Sequence, residues 1–358
     1  MVKLALVMLG ACGFTPGVGT DATSPDTKAI DASPHYRKKI TLAVGSPTAL
    51  TDFPISIVTS DPDLAAHALA DGSDLGMTLV DGTPLSREIV AFDKPSGALE
   101  AWVRLPTVTD TLDIYMTYGA MPSLQAASVW SPDVFSAAWH LAETGAGSWV
   151  DTANGHVVTP ASNTTTAAST SMGIVGAARL FDGVDDTSPG PNAPDLTFGM
   201  TSFSVQVWVN VAQSADGYDM VIDKGGDTNM PGYCLTLGTA NWLVEVGDNG
   251  YVVAPFGFEI DMLGHWNQLT AVIDRTQNVV KAYANGVLTG STSLGTIGSM
   301  ASTHTFAIGS TNLSERFEGV VDEVRVFKVP LTTEWIAAEY RNSMMRSAFV
   351  VFGSEETM

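Results

Sequence analysis

The sequence predicts an all-β protein built from two β-sandwich domains, and three observations predict it. Turn formers are dense, with 34 Gly and 18 Pro in 358 residues alongside abundant Ser and Thr. Apolar residues alternate with period two in one segment after another, the spacing that turns one face of a strand toward a core. Helical spacing occurs in a single stretch near the end of the chain.

The chain opens on residues 1–12, MVKLALVMLGAC: one basic residue, Lys3, then a six-residue apolar run, Leu4 to Leu9. That run is far too short to span a bilayer as a helix, which needs about 20 residues. Residues 13–33 lack apolar periodicity and are rich in Gly, Thr, Ser, Pro and Asp, the composition of a flexible linker.

Residues 34–130 then read as a small β-sandwich domain. Ile40, Leu42 and Val44 share one strand face, and Phe53 to Val58 repeats the alternation with Pro54 marking an edge or a strand start. Asp71-Gly72 and Asp81-Gly82 are turn signals, and Glu100–Leu105 and Leu112–Tyr118 supply further strands.

The second body, residues 131–353, is longer. Strands are expected at Val134–Leu141, Gly176–Phe181, Phe203–Val209, Trp242–Val246, Leu269–Ile273, Thr305–Ile308 and Val320–Phe327. Asn285-Gly286 between two apolar segments is a type I′ hairpin signal. The single helix spans about 332–342, with Thr332 or Thr333 as N-cap and Trp335, Ile336 and Tyr340 on one face, before a last strand, Ala348–Phe352. Many strands and one late helix make a large two-sheet sandwich.

Charge narrows the function. The chain carries 17 Lys and Arg against 38 Asp and Glu, a net −21, yet only 15% of its residues are charged and 45% are hydrophobic. That composition excludes a disordered polyelectrolyte. Such acidity argues against nucleic acid as a partner, since phosphate backbones are held by clustered Lys and Arg. The excess concentrates in residues 181–261, where twelve acidic residues face a single base, Lys224. Two readings stay open for it: a solvated acidic surface, or carboxylates that hold a hard cation such as Ca²⁺.

Several blocks together resemble a known family. Ala138–Glu143, Leu180–Asp186, Phe203–Val209, His265–Leu269, Asn285-Gly286 and Gly319–Phe327, in that order, resemble a bacterial LamG module of the concanavalin A-like lectin/glucanase superfamily. The resemblance implies a concanavalin A-like jelly roll for residues 131–353, often with one structural calcium and sometimes with a carbohydrate-binding face. Residues 34–130, opening on Tyr36-Arg37-Lys38-Lys39-Ile40, look like a β domain of unknown function that often precedes such modules. Leu9-Gly10-Ala11-Cys12 resembles the bacterial lipobox, which implies a lipoprotein-type signal, lipidation of Cys12 and a protein tethered to the cell envelope, at the outer membrane or the cell surface. The membrane is then reached only through that lipid.

Candidate site residues follow. For Ca²⁺ they are Asp182 and Asp185 on a Gly183 turn, with Asp322 and Glu323 on a late strand expected to pair nearby; Asp186 lies on the same turn. The competing reading has Asp182 capping the turn and Glu323 paired with Arg325 or Arg179. For sugar, Trp242, Tyr251 and Tyr218, with Phe256, are candidate exposed aromatic platforms, whereas Trp139, Trp208 and Trp266 sit inside alternating patterns and read as core. Glu259-x-Asp261 matches part of a glucanase motif, but Leu263 or Gly264 stands where a second catalytic Glu is required. No His-x-x-x-His or Cys-x-x-Cys pair is present, which speaks against a transition-metal site. The expected function is therefore a non-catalytic, surface-anchored binding protein for carbohydrate or a cell-surface protein. The alternatives are an inert architectural or adhesion component and an atypical glycan hydrolase.

Overall fold

The computed structural model describes residues 35–358 apart from 121–127, 144, 146, 161–168, 171–172, 213–216, 228–229, 240, 258–262 and 311–314. Cys12 and Glu259 therefore lie outside the described residues. The protein is nearly all-β, as the alternation predicts.

The first sandwich pairs a four-stranded sheet with a three-stranded one. The three-stranded sheet runs Leu50–Ser60, Ala98–Val108, Arg87–Asp93. Leu50–Ser60 is its edge strand, so the missing N–H of Pro54 interrupts no ladder. The four-stranded sheet runs Val350–Thr357, Tyr36–Ala43, Thr111–Tyr118, Gly76–Leu79. Its first member is the C-terminal strand of the chain, antiparallel to the first, with Leu42 opposite Val350 and Tyr36 opposite Thr357. The strand expected at 348–352 thus runs further and completes the sandwich that opens the chain.

The second sandwich stacks a large sheet on a smaller one. In the large sheet, Glu318–Phe327 and Trp266–Asp274 flank Phe203–Val211, followed by the hairpin Val279–Ala284 and Val287–Ser293. Asn285 and Gly286 both have positive φ, +53° and +82°, as a type I′ turn requires. The smaller sheet has six strands, ending in Asp219–Asp223, Gly232–Leu237, Trp242–Gly247 and Tyr251–Pro255. Between the sheets, Val205, Val207, Val209, Leu269, Ala271 and Ile273 meet Leu235, Leu237, Val244 and Val246, all buried.

The outer face of the large sheet is also buried. Trp208, Val272, Tyr283 and Phe327 belong to the hydrophobic cluster of the first sandwich, together with Ile40, Phe53 and Trp102. The helix Thr333–Met344 lies in this seam. Thr332 Oγ1 caps it by accepting from Trp335 N at 3.2 Å, and Trp335 packs edge-on against Phe53 with centroids 4.9 Å apart. Two further short helices, Pro62–His67 and Arg346–Phe349, were not expected from the sequence. Both are too brief to show a helical period. Among the described residues no helix is long and apolar enough to cross a membrane.

Candidate functional site

Three places bring chemically capable side chains together. The first is the turn after strand Ala178–Asp182. Gly183 has φ +72°, and a Cβ there would stand 2.9 Å from Cβ of Glu318, the residue opposite Asp182. Asp182 Oδ1 accepts from Val184 N at 2.8 Å, and Asp186 Oδ2 accepts from Asp182 N at 2.9 Å. Oxygens of Asp182, Asp185 and Asp186 lie within 4.8 Å of one another. Asp186 is buried, and its Oδ1 has no hydrogen-bond partner among the described residues. Burial, assisted by the charges of Asp182 and Asp185, pushes its carboxyl up to about 6.

Asp322 and Glu323 do not join this turn, contrary to expectation. The register sets Asp182 against Glu318 and Arg179 against Val321, so Asp322 lies four residues further along. At strand rise that is about 13 Å. Both side chains are buried and already satisfied. Asp322 accepts from the backbone N–H of Ile174, Val175 and Glu323. Glu323, at φ +47°, pairs with Arg325 Nη2 at 2.8 Å and His140 Nδ1 at 2.9 Å. The alternative pairing of Glu323 with Arg325 is the one the chain adopts.

These groups form the second place, the polar seam between the sandwiches. His140 also approaches Glu88 Oε1 at 3.5 Å, and Glu88 Oε2 accepts from Trp130 Nε1 at 2.6 Å. Burial opposes a charge on His140, but Glu323 and Glu88 outweigh it and raise the imidazole to about 10. The Arg325 guanidinium lies 4.3 Å from the Trp102 ring centroid and 5.1 Å from that of Trp130. A cleft of about 240 Å³ opens over His140, between Glu88 and Glu143.

The third place is the outer face of the six-stranded sheet, which sequence reasoning missed. Tyr233 and Leu235 point into the core, as do Val244 and Val246, so Cys234 and Glu245 between them point outward. Asp223, Cys234, Glu245 and Val253 stand opposite one another on four successive strands. The outward residues Met220, Cys234 and Leu243 belong to neither hydrophobic cluster. Asp223 is committed to His304 Nε2 at 2.8 Å and to Gly225 N, also at 2.8 Å. Lys224 is committed to Asn192 Oδ1 at 2.8 Å and to the carbonyl of His304. Its burial lowers the amine to about 8 against the pull of Asp223. Glu245 is 8% exposed; its carboxylate makes no hydrogen bond to a described residue, and its oxygens keep contact with solvent. Burial first, then the charges of Asp227 and Glu315, raise its pKa. The signal was present in the sequence: a lone acid at the outward parity of an otherwise apolar strand.

The aromatic expectations divide. Trp242 is 0% exposed and packs against Phe317, so it is no platform. It shares the inward parity of Val244 and Val246. Phe256 is likewise buried, and Trp139 and Trp208 are core as expected. Tyr251 and Tyr218 are exposed, at 49% and 52%, but at opposite ends of the sheet. Tyr251 stands opposite Gly247, while Tyr218 adjoins Asp219, whose row leads through Leu237 to Trp242. The five residue steps from Trp242 to Gly247 correspond to about 17 Å.

Residues 185–337 match the family model described as the concanavalin A-like lectin/glucanases superfamily, which bears out the resemblance over that range. No curated protein matches the chain significantly. Similar solved structures include the botulinum neurotoxin serotype D binding domain, at 16% identity and TM-score 0.47, covering 60% of this chain and 53% of that one. The same serotype's ligand-binding domain in complex with N-acetylneuraminic acid scores 0.47 at 16% identity, covering 60% and 52%. The binding domain of Paraclostridial Mosquitocidal Protein 1 scores 0.46 at 12% identity, covering 58% and 52%. The chain spans about half the length of these chains, and a likeness at this level carries no statement about ligand or activity.

Proposed function

We propose that the protein recognises carbohydrate, without turning it over, on the outer face of the six-stranded sheet. The observation that carries this reading is Glu245: a residue 8% exposed whose carboxylate keeps contact with solvent and has no partner among the described residues, on a face that packs into neither core. Burial raises its pKa, and hydrogen-bond donors brought by a ligand would stabilise its charge. Sugar hydroxyls are such donors, and a family whose description includes lectins fits that chemistry. Tyr251 lies on the same face, two residues from Val253 and about 7 Å along the strand from the Glu245 row. Its exposed ring supplies an apolar surface for a pyranose.

Calcium is the second part of the proposal. Asp182, Asp185 and Asp186 offer clustered hard oxygens, and the orphaned Oδ1 of Asp186 is a preformed ligand atom. Glu318 stands beside the turn, with Oε2 3.3 Å from where a Cβ on Gly183 would be. The ion would fix this turn; it is not assigned to the sugar. The proposal also keeps Cys12 as the lipid-bearing residue that holds the protein at the cell envelope, which mass spectrometry of membrane fractions tests.

A glycan array run in CaCl₂ and in EDTA tests the reading. Binding in either condition supports it, and an empty array in both overturns it. Incubating any bound glycan with the protein separates recognition from hydrolysis: newly released reducing ends would place the protein among the glycan hydrolases.

A further inference from the structure

We propose that the first sandwich takes the C-terminal tail of a partner protein as an added strand, on the edge of its three-stranded sheet at Val58, with Arg346 receiving the tail's carboxylate. This surface is separate from the carbohydrate face and does not depend on it.

The strand register says which backbone groups are open. Leu50–Ser60 is an edge strand that pairs with Ala98–Val108 without a bulge. Successive residues therefore turn their N–H and C=O alternately toward that neighbour and away from it. Asp61 N donates to Gly97 O at 3.1 Å, toward the neighbour. Ser56, Val58 and Ser60 have the opposite parity and point off the edge. Ser56 bears this out, because both of its backbone groups pair with the Asn342 side chain, at 2.7 and 3.0 Å. Asn342 thus stands where a paired strand would stand, but only at Ser56. One outward position further on, the backbone groups of Val58 have no such partner among the described residues.

Beside Val58 lies a groove of about 340 Å³, within the size range of ligand pockets. It is lined by Ser56, Val58 and Thr59 of this strand and by Val350, Val351 and Phe352 of Val350–Thr357, itself the edge of the four-stranded sheet. Val351 is 49% exposed, so apolar surface stands open there.

Arg346, four residues after Asn342, lines the same groove. Its Nη2 donates to the Ile174 carbonyl, which anchors the guanidinium, while its Nε has no hydrogen-bond partner among the described residues. Two carboxyls face it. Glu100 stands opposite Val58 on the neighbouring strand, and Asp322 accepts from Ile174 N. Neither forms an ion pair with Arg346, and burial raises the pKa of both, which lessens the negative charge set against an incoming anion. The nearby Arg341 is committed to the carbonyls of Val44 and Gly45. A carboxylate offers the Arg346 fork the paired acceptors it lacks.

The blocked end selects a chain terminus. An added strand can pair at Val58 but not at Ser56, where Asn342 already sits, so it must stop beside Arg346. A C-terminus supplies three things there: backbone groups for Val58, a last apolar side chain for Val350 and Phe352, and a carboxylate for Arg346. An acidic side chain in the middle of a strand would require that strand to run on past Ser56.

The test is a random peptide library displayed with free C-termini and screened against the full chain. Sequences ending in an apolar residue are expected to be enriched. A selected peptide made as the free acid is expected to bind at least about tenfold tighter than its C-terminal amide. Arg346→Gln is expected to erase that difference. Val58→Pro deletes the outward N–H as Pro54 does two outward positions earlier, and is expected to abolish binding with the melting temperature retained. The comparison of acid with amide needs no variant, so a substitution that fails to fold leaves the test intact. No enrichment, or equal binding of acid and amide, would overturn the proposal. Competition by an amidated peptide of residues 13–33 would make that segment the occupant, and a dimer that Val58→Pro dissociates would make it a second copy; either overturns the partner's tail.

Discussion

Asn342 pairs its side-chain amide with both backbone groups of Ser56. Its Oδ1 accepts from Ser56 N at 2.7 Å and its Nδ2 donates to Ser56 O at 3.0 Å. The helix that follows the second sandwich thereby closes the open edge of the first sandwich's three-stranded sheet. Ser56 is 1% exposed, so water cannot replace the amide. Asn342→Ala strands a buried donor and a buried acceptor, at a cost of about 2–5 kcal/mol. Chemical denaturation is expected to show one transition with a clearly lowered midpoint. A midpoint within experimental error of the parent would refute this role.

The seam also predicts a pH response. His140 in the folded protein holds its proton up to about 10, above its ordinary value of 6.5. The folded state therefore keeps a proton that the unfolded chain releases. The stabilisation is complete below about 6.5 and is lost as pH rises toward 10. Melting temperature is expected to fall across that window, and His140→Gln to lose this part of the slope. The opposite sign, a melting temperature that rises between those values, would contradict the Glu88–His140–Glu323 arrangement.

The calcium proposal makes a separate prediction. A ligand that binds only the folded state stabilises it, by about 2.7 kcal/mol at a hundred times its dissociation constant. CaCl₂ is expected to raise the melting temperature over EDTA, and Asp186→Asn to abolish the increment. Because the Asp186 carboxyl titrates near 6, the increment is expected to shrink as pH falls through that value and protons compete with the ion. An unchanged melting temperature in CaCl₂ would remove calcium from the account.

The sequence made the repeating elements visible because their signals are local. Ile40, Leu42 and Val44 alternate and are all buried; Asn285-Gly286 turns as such a pair must; Thr332 caps its helix. What escaped it was long-range. Nothing near Val350 says that it will lie opposite Leu42, some three hundred residues earlier. Asp322 and Glu323 looked like a ligand pair because the sequence does not carry the register that places them at the seam, beside His140 and Arg325. Trp242 was misjudged, and Glu245 passed over, for another reason. Strand parity already set Trp242 inward and Glu245 outward, but an aromatic near a loop outweighed parity.

Recognition of carbohydrate at Glu245 is tested most directly by the affinity for an array-selected glycan of the parent chain and of Glu245→Ala and Tyr251→Ala. Both substitutions are expected to weaken binding at least about tenfold at unchanged melting temperature, as the loss of a charged hydrogen bond and of a stacking ring requires. Undiminished affinity in both variants would move the site off this face and contradict the account.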